Sequence, residues 1–260
     1  MSRRNSWFWN RVAPWVLPGL LLILWQALGS AGLIPKRILP TPVEVVQAAL
    51  TLAHQGVLWS YIATSAARAF SGFLIGAAAG FLLGTLNGVS RKAGRLLDTP
   101  IQMIRTIPHL ALVPIVIVWF GIGEQAKLFL VALGTAIPMY MNTYFGIQSL
   151  DPGLLEMARV YRFNRAKMFW KVILPGALPS VLSGVRYSLG VMWVTLIVAE
   201  TISANSGIGY MIMNAQEFMQ MNIVVLGIVL YALLGKLSDV IARMLEVKLL
   251  AWHPIGLQAV

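Results

Sequence analysis

Runs of apolar residues long enough to cross a membrane recur along the chain, separated by segments that gather most of its charge. About twenty apolar residues in helical conformation cross a hydrocarbon layer of roughly 30 Å. The pattern predicts six spans, at about 12–30, 66–87, 107–122, 126–147, 178–199 and 219–237. The third is short and carries Pro108 and Pro114, so it is expected to kink or tilt. Leaving it out gives five spans, the competing arrangement.

Basic residues decide between the two counts. With six spans and a cytoplasmic N-terminus, fifteen of the twenty Lys and Arg residues fall on the inner side against three outside, with Arg68 and Arg186 in or near spans. Such asymmetry is the positive-inside signature. Five spans would put the basic C-terminal tail opposite the basic N-terminal tail and spoil it. The expected organisation is a cytoplasmic tail at 1–11, a membrane domain at 12–250 and a cytoplasmic tail at 251–260.

The second span carries a repeat of its own. Gly72, Gly76, Gly80, Gly84 and Gly88 recur every fourth residue and so line one helix face. Lipid offers little hydrophobic drive between helices, and close backbone approach through small residues takes its place. The ridge is expected to pack within the chain, with a dimer contact as the alternative. Ser180, Gly184 and Ser188 form a weaker ridge on the fifth span.

Composition agrees with burial in lipid. The 260 residues are 58% hydrophobic and 11% charged, whereas soluble domains carry about 25% charged residues. The net charge of +11 would suit nucleic acid, but the basic residues sit in connecting loops. Trp7, Trp9 and Trp15 among Arg3, Arg4 and Arg11 read as an interfacial belt, so no nucleic-acid partner is expected. Ser2-Arg3-Arg4 lacks a following cleavage site and reads as mature chain. With no cysteine there is neither a disulfide nor a thiolate metal site.

Enzyme chemistry finds no foothold. Gly235-Lys236 resembles the end of a phosphate-binding loop, but Leu230 stands at the first glycine position and Leu237 where Ser or Thr would hold magnesium. His54, His109 and His253 are scattered, and the nine carboxylates form no pair. The scarcity of buried ionisable groups also argues against an ion-coupled secondary transporter. The energy source is expected on another chain.

The connection at about 148–177 is the most informative stretch. Asp151-Pro152 predicts an N-cap followed by proline at the first helical position, opening a short amphipathic helix. Pro175 and Pro179 are expected to break the chain before the fifth span. Amphipathicity alone leaves two roles open, resting on the membrane surface or docking to a partner.

Glu156-Met157-Ala158 with Val172-Ile173-Leu174-Pro175 resembles the EAA signature of the permease subunits of bacterial ABC importers. Arg162 stands at the signature's usual glycine, which allows the turn between two short helices. Arg105-Thr-Ile-Pro-His, Trp119-Phe-Gly-Ile-Gly and Ala199-Glu-Thr-Ile-Ser-Ala-Asn-Ser-Gly-Ile-Gly-Tyr are similar to the sulfonate, nitrate and taurine branch, with aliphatic sulfonate importers nearest.

The resemblance implies an all-α membrane protein with the type I ABC importer permease fold. Two permease copies would form the path across the bacterial inner membrane. Two ABC ATPase subunits would bind below, carrying the ATP and magnesium that this chain does not bind. A periplasmic or lipid-tethered binding protein would deliver the substrate. Glu156, Met157, Ala158, Arg159, Arg162, Leu174 and Pro175 would belong to the ATPase-coupling loop, Ala158 letting its helix seat closely. Taurine, nitrate or another small organic anion is the alternative cargo.

Polar residues within spans are the candidates for the path: Thr135, Asn142, Tyr187 and Thr195, with Trp193 as a gate or stacking surface. Each could equally hold helices together. Arg186 could meet an anion or snorkel to the interface. Segment 200–221 is expected to form a short helix at the outer mouth, contacting the binding protein.

Overall fold

The computed structural model describes residues 13–252, and within them every regular element is helical. The expected tail at 1–11 and residues 253–260 lie outside the described part. The helices are α1 (Ala13–Ser30), α2 (Pro42–His54), α3 (Val57–Val89), α4 (Arg91–Thr106), α5 (Val113–Phe120), α6 (Glu124–Gln148), α7 (Pro152–Val160), α8 (Arg165–Met168), α9 (Leu174–Ser203), α10 (Ile208–Glu217) and α11 (Met221–Leu249).

Four runs are long and apolar enough to cross a membrane: α3, α6, Arg165–Ile202 and α11. The third expected span is different. Thr99–Thr106 and His109–Phe120 meet at 83°, as a broken span or a re-entrant pair. Pro108 is the cause, since it forces Ile107 into extended backbone and stops α4 there. The first expected span is α1, whose apolar part, Trp15–Ser30, is shorter than any of the four long runs. It joins the rest through α2, where Trp25 donates to the Pro40 carbonyl at 3.0 Å and Gln26 accepts from the Val43 amide. Thr41 and Glu44 cap α2 reciprocally, each side chain accepting from the other's backbone amide.

The glycine ridge packs within the chain. A Cβ on Gly72 would meet Val131, on Gly76 the Ala132 carbonyl and Thr135, on Gly80 the Ala136 carbonyl and on Gly88 Ile147. On Gly84 it would lie 2.7 Å from the Tyr140 carbonyl oxygen. The backbones of α3 and α6 thus touch along their length, and this is the most extensive helix pairing in the fold. The weaker ridge serves the other side of α6. Ser180 donates to the Asn142 carbonyl at 2.8 Å, Ser188 to the Thr135 carbonyl at 3.0 Å, and Gly184 lies against Asn142.

Prolines 175 and 179 do not break the fifth span. A π-turn over Phe169–Ile173 carries α8 into α9, with the Leu174 amide donating five residues back to Phe169. Pro175 has no N–H, and its ring crowds the carbonyl four residues earlier. One extra residue in the turn accommodates both, so the helix runs on from Arg165.

At the far end of α9 from this turn, a buried ionic cluster ties the helices together. Glu200, 1% exposed, accepts from Arg68 at 2.8 Å, Tyr231 at 2.9 Å and the Gly209 amide at 2.9 Å, with the Ser65 hydroxyl 2.7 Å away. Arg68 also donates twice to Glu124 and to Ser206, while Lys127 bridges to Glu124 at 2.9 Å. Six elements meet there: α3, α6, α9, the 204–207 turn, α10 and α11. Buried carboxylates persist only when saturated in this way.

Two substitutions test this frame by thermal unfolding of purified protein. Gly80→Val drives a side chain into backbone and is expected to cost about 3 kcal/mol or more. Glu200→Ala leaves Arg68 and the Gly209 amide short of an acceptor and is expected to cost about 3–5 kcal/mol.

Candidate functional site

The 148–177 connection folds as a helix, a turn and a second helix. Asp151 accepts from the Gly153 amide at 2.8 Å, and Pro152 occupies the first turn of α7. The helix ends in a Schellman turn: Phe163 N–H reaches the Ala158 carbonyl at 3.0 Å and Arg162 N–H the Arg159 carbonyl at 2.9 Å. Arg162 is the left-handed residue of that turn, with φ of 54°. This is the position at which the EAA signature carries glycine, and the backbone keeps the glycine conformation although the residue has changed. Asn164 then caps α8 by accepting from the Lys167 amide at 2.7 Å, and the Lys167 ammonium lies over the Phe163 ring.

Burial sorts the expected coupling residues. Glu156, Met157, Arg159 and Arg162 are exposed, and Leu174 and Pro175 half-buried. Ala158 is 0% exposed. Its small side chain therefore lets α7 sit against its own chain. The outward surface of α7 consists of Leu154, Met157, Val160 and Tyr161, flanked by Glu156 and Arg159. Behind it, a cleft of about 500 Å³ runs between α7 and the ends of α3 and α6.

The expected path residues divide differently. Thr135 is buried and donates to the Val131 carbonyl of its own helix. Thr195 is buried with its hydroxyl 3.0 Å from His109 Nε2. Trp193 is buried and donates to Ser238 at 2.9 Å, joining α9 to α11. Asn142 is half-buried and donates to the Pro138 carbonyl. These four hold or sit between helices, because a polar side chain in an apolar interior takes the nearest backbone or hydroxyl partner.

Tyr187 lies elsewhere. It is 65% exposed and lines a cleft of about 590 Å³ with Ser183, Arg186, Gly190 and Val194 of α9. Asp239 and Glu246 of α11 and the edge of His109 complete the wall. Arg186 is paired within the chain: Asp239 accepts from its Nε at 2.6 Å, and Glu246 lies 3.9 Å from Nη1. Among the described residues no group of acidic or histidine side chains is arranged to hold a metal ion.

Comparison with known proteins agrees with this architecture. Residues 72–250 match the family described as binding-protein-dependent transport system inner membrane component. The chain is 58% identical over 94% of its length to SsuC of Escherichia coli, a permease protein named for aliphatic sulfonate transport, and the match covers 93% of that protein. It is 35% identical to the taurine transport system permease protein TauC of Escherichia coli, covering 97% of this chain and 95% of TauC. Among solved structures, the inward-facing MetNI methionine ABC transporter superposes with a TM-score of 0.55 at 23% identity, over 76% of this chain and 97% of that one. An amino acid ABC transporter with histidines gives 0.58 at 19% identity, over 75% and 97%. With its helical frame, its EAA-type turn and a family match over most of its length, the chain belongs to the binding-protein-dependent transport system inner membrane components, the permeases of ABC importers.

Proposed function

We propose that this permease imports aliphatic sulfonates as a pair of identical subunits, each with six spans and both termini in the cytoplasm. α1 and the broken α4–α5 pair then complete the count begun by the four long runs. Two ATPase subunits bind beneath and carry ATP and magnesium; a periplasmic or lipid-tethered binding protein delivers cargo to the outer mouth, near α10. The near full-length likeness to SsuC supports the cargo. Taurine or nitrate remains the second reading, on the likeness to the taurine permease.

The observation that carries the coupling role is the exposed face of α7. Met157, Val160 and Tyr161 are 46%, 80% and 71% exposed on a helix whose other side is anchored by Ala158. Such a surface suits a groove on a partner, with Glu156 and Arg159 at its rim. α7 connects to the fifth span through a hydrogen-bonded turn: two Schellman bonds close its C-terminus within residues 158–163, and α8 just beyond continues into α9.

Glu156→Lys reverses a rim charge without disturbing the buried face, and a co-expressed ATPase is expected to be lost on purification. Retention of the ATPase would remove this rim from the contact. Arg162→Gly relieves a left-handed conformation that costs a side-chain-bearing residue about 1 kcal/mol. Amide exchange across 152–173 is expected to slow several-fold, with ATPase binding kept; unchanged exchange would mean that the turn is not the weak point of the loop.

A further inference from the structure

α4 stands at the edge of the bundle, and no described residue of it is buried. Its side chains fall into three stripes at helical spacing. Ala93, Gly94, Leu97 and Ile101 are half-buried, and a Cβ on Gly94 would lie 3.5 Å from the Asn87 carbonyl of α3. This stripe faces the chain itself. Leu96, Pro100, Met103 and Ile104 form an exposed apolar stripe, with Leu96 at 75% and Met103 at 67%. Lys92, Arg95, Thr99, Gln102 and Thr106 form an exposed polar one.

The helix climbs only slowly along the bundle. It begins directly after α3, whose last turn meets the end of α6 where Gln148 donates to the Gly88 carbonyl. It ends with Arg105 Nη1 3.7 Å from Met141 Sδ, about 10 Å back from Gln148 along α6. From Arg91 to Arg105 the helix itself covers about 21 Å. Only past Pro108 does the chain turn, by 83°.

Its charge is one-sided. Arg91, Lys92, Arg95 and Arg105 stand against the single carboxylate Asp98. Among the described residues no carboxylate pairs with Lys92, Arg95 or Arg105. Arg91 and Lys92 open the helix, where its dipole already favours an anion.

We infer that α4 docks on an anionic lipid surface, Leu96, Met103 and Ile104 entering the acyl region while Lys92 and Arg95 take phosphate headgroups. A bilayer interface meets an apolar stripe and a basic stripe together, whereas a second copy would cover the first and an ATPase the second. Docked in this way, α4 fixes the limb from which α5 turns into the membrane. That the leaflet is the cytoplasmic one rests on the orientation proposed above.

Because the chain has no cysteine, Leu96→Cys, Met103→Cys and Thr99→Cys each place a single nitroxide. The importer is assembled with a cysteine-free ATPase in nanodiscs, which expose both membrane faces. Labels at Leu96 and Met103 are expected to collide with oxygen severalfold more than with a neutral nickel chelate, and the label at Thr99 the reverse. Replacing phosphatidylcholine by an equal mixture with phosphatidylglycerol is expected to lower nickel access at Leu96 severalfold. Lys92→Gln with Arg95→Gln is expected to abolish that response. Shielding of Leu96 and Met103 from both reagents would show a second copy on the apolar stripe, and shielding of Thr99 an ATPase on the polar one. Either result, or indifference to phosphatidylglycerol, overturns the docking. An impermeant thiol reagent that reaches Thr99→Cys from outside intact cells would instead overturn the orientation.

Discussion

The position of every functional element depends on how closely helices approach α6. A membrane interior gives apolar side chains no reason to prefer each other over lipid, so helices cohere where their backbones can touch. Five glycines of α3 do this on one side of α6, and Ser180, Gly184 and Ser188 of α9 do it on the other. The three helices form one slab. Its ends carry the ionic cluster around Glu200 and the α7 turn, which are therefore fixed relative to each other through α6 and α9.

Polar groups inside the slab are used where they are made. Ser188 and Ser180 donate to α6 carbonyls, His109 meets Thr195, and Trp193 meets Ser238. The Glu200 cluster follows the same rule at higher stakes, because an ionised group in this environment must be surrounded by donors. The uncovered face of α9 leaves Tyr187 exposed, with Arg186 held by α11.

Much of this could be read from the residues. The four-residue glycine period marked one face of α3, because no other structure needs that spacing. Asp151-Pro152 marked the start of α7, since capping chemistry is local. The EAA-like residues located the turn, and the left-handed Arg162 explains why that position usually holds glycine. Other features were hidden. Glu200 and Arg68 are separated by 132 residues, and neither has a local pattern that names its partner. The available signal was the rarity of charge near spans, which favours pairing. The bend of the third span was legible in Pro108 and Pro114, but its size was not, because hydropathy measures length and ignores direction, while Pro108 turns the chain by 83°. Pro175 was misjudged in the opposite sense, as a π-turn absorbed it. For Thr135, Trp193 and Thr195 the sequence left path and helix contact equally open, because it does not reveal which partner a buried hydroxyl or indole has found.

The uninterrupted run from Arg165 to Ile202 gives the molecule a lever. Its 38 residues extend about 57 Å at 1.5 Å per residue. A tilt of about 5° at one end displaces the other by roughly 5 Å, about one helical pitch. α7 adjoins the Arg165 end, the short arm of that lever, through residues 161–164. The π-turn sits close to the short arm, where a compliant joint would absorb the least of the stroke.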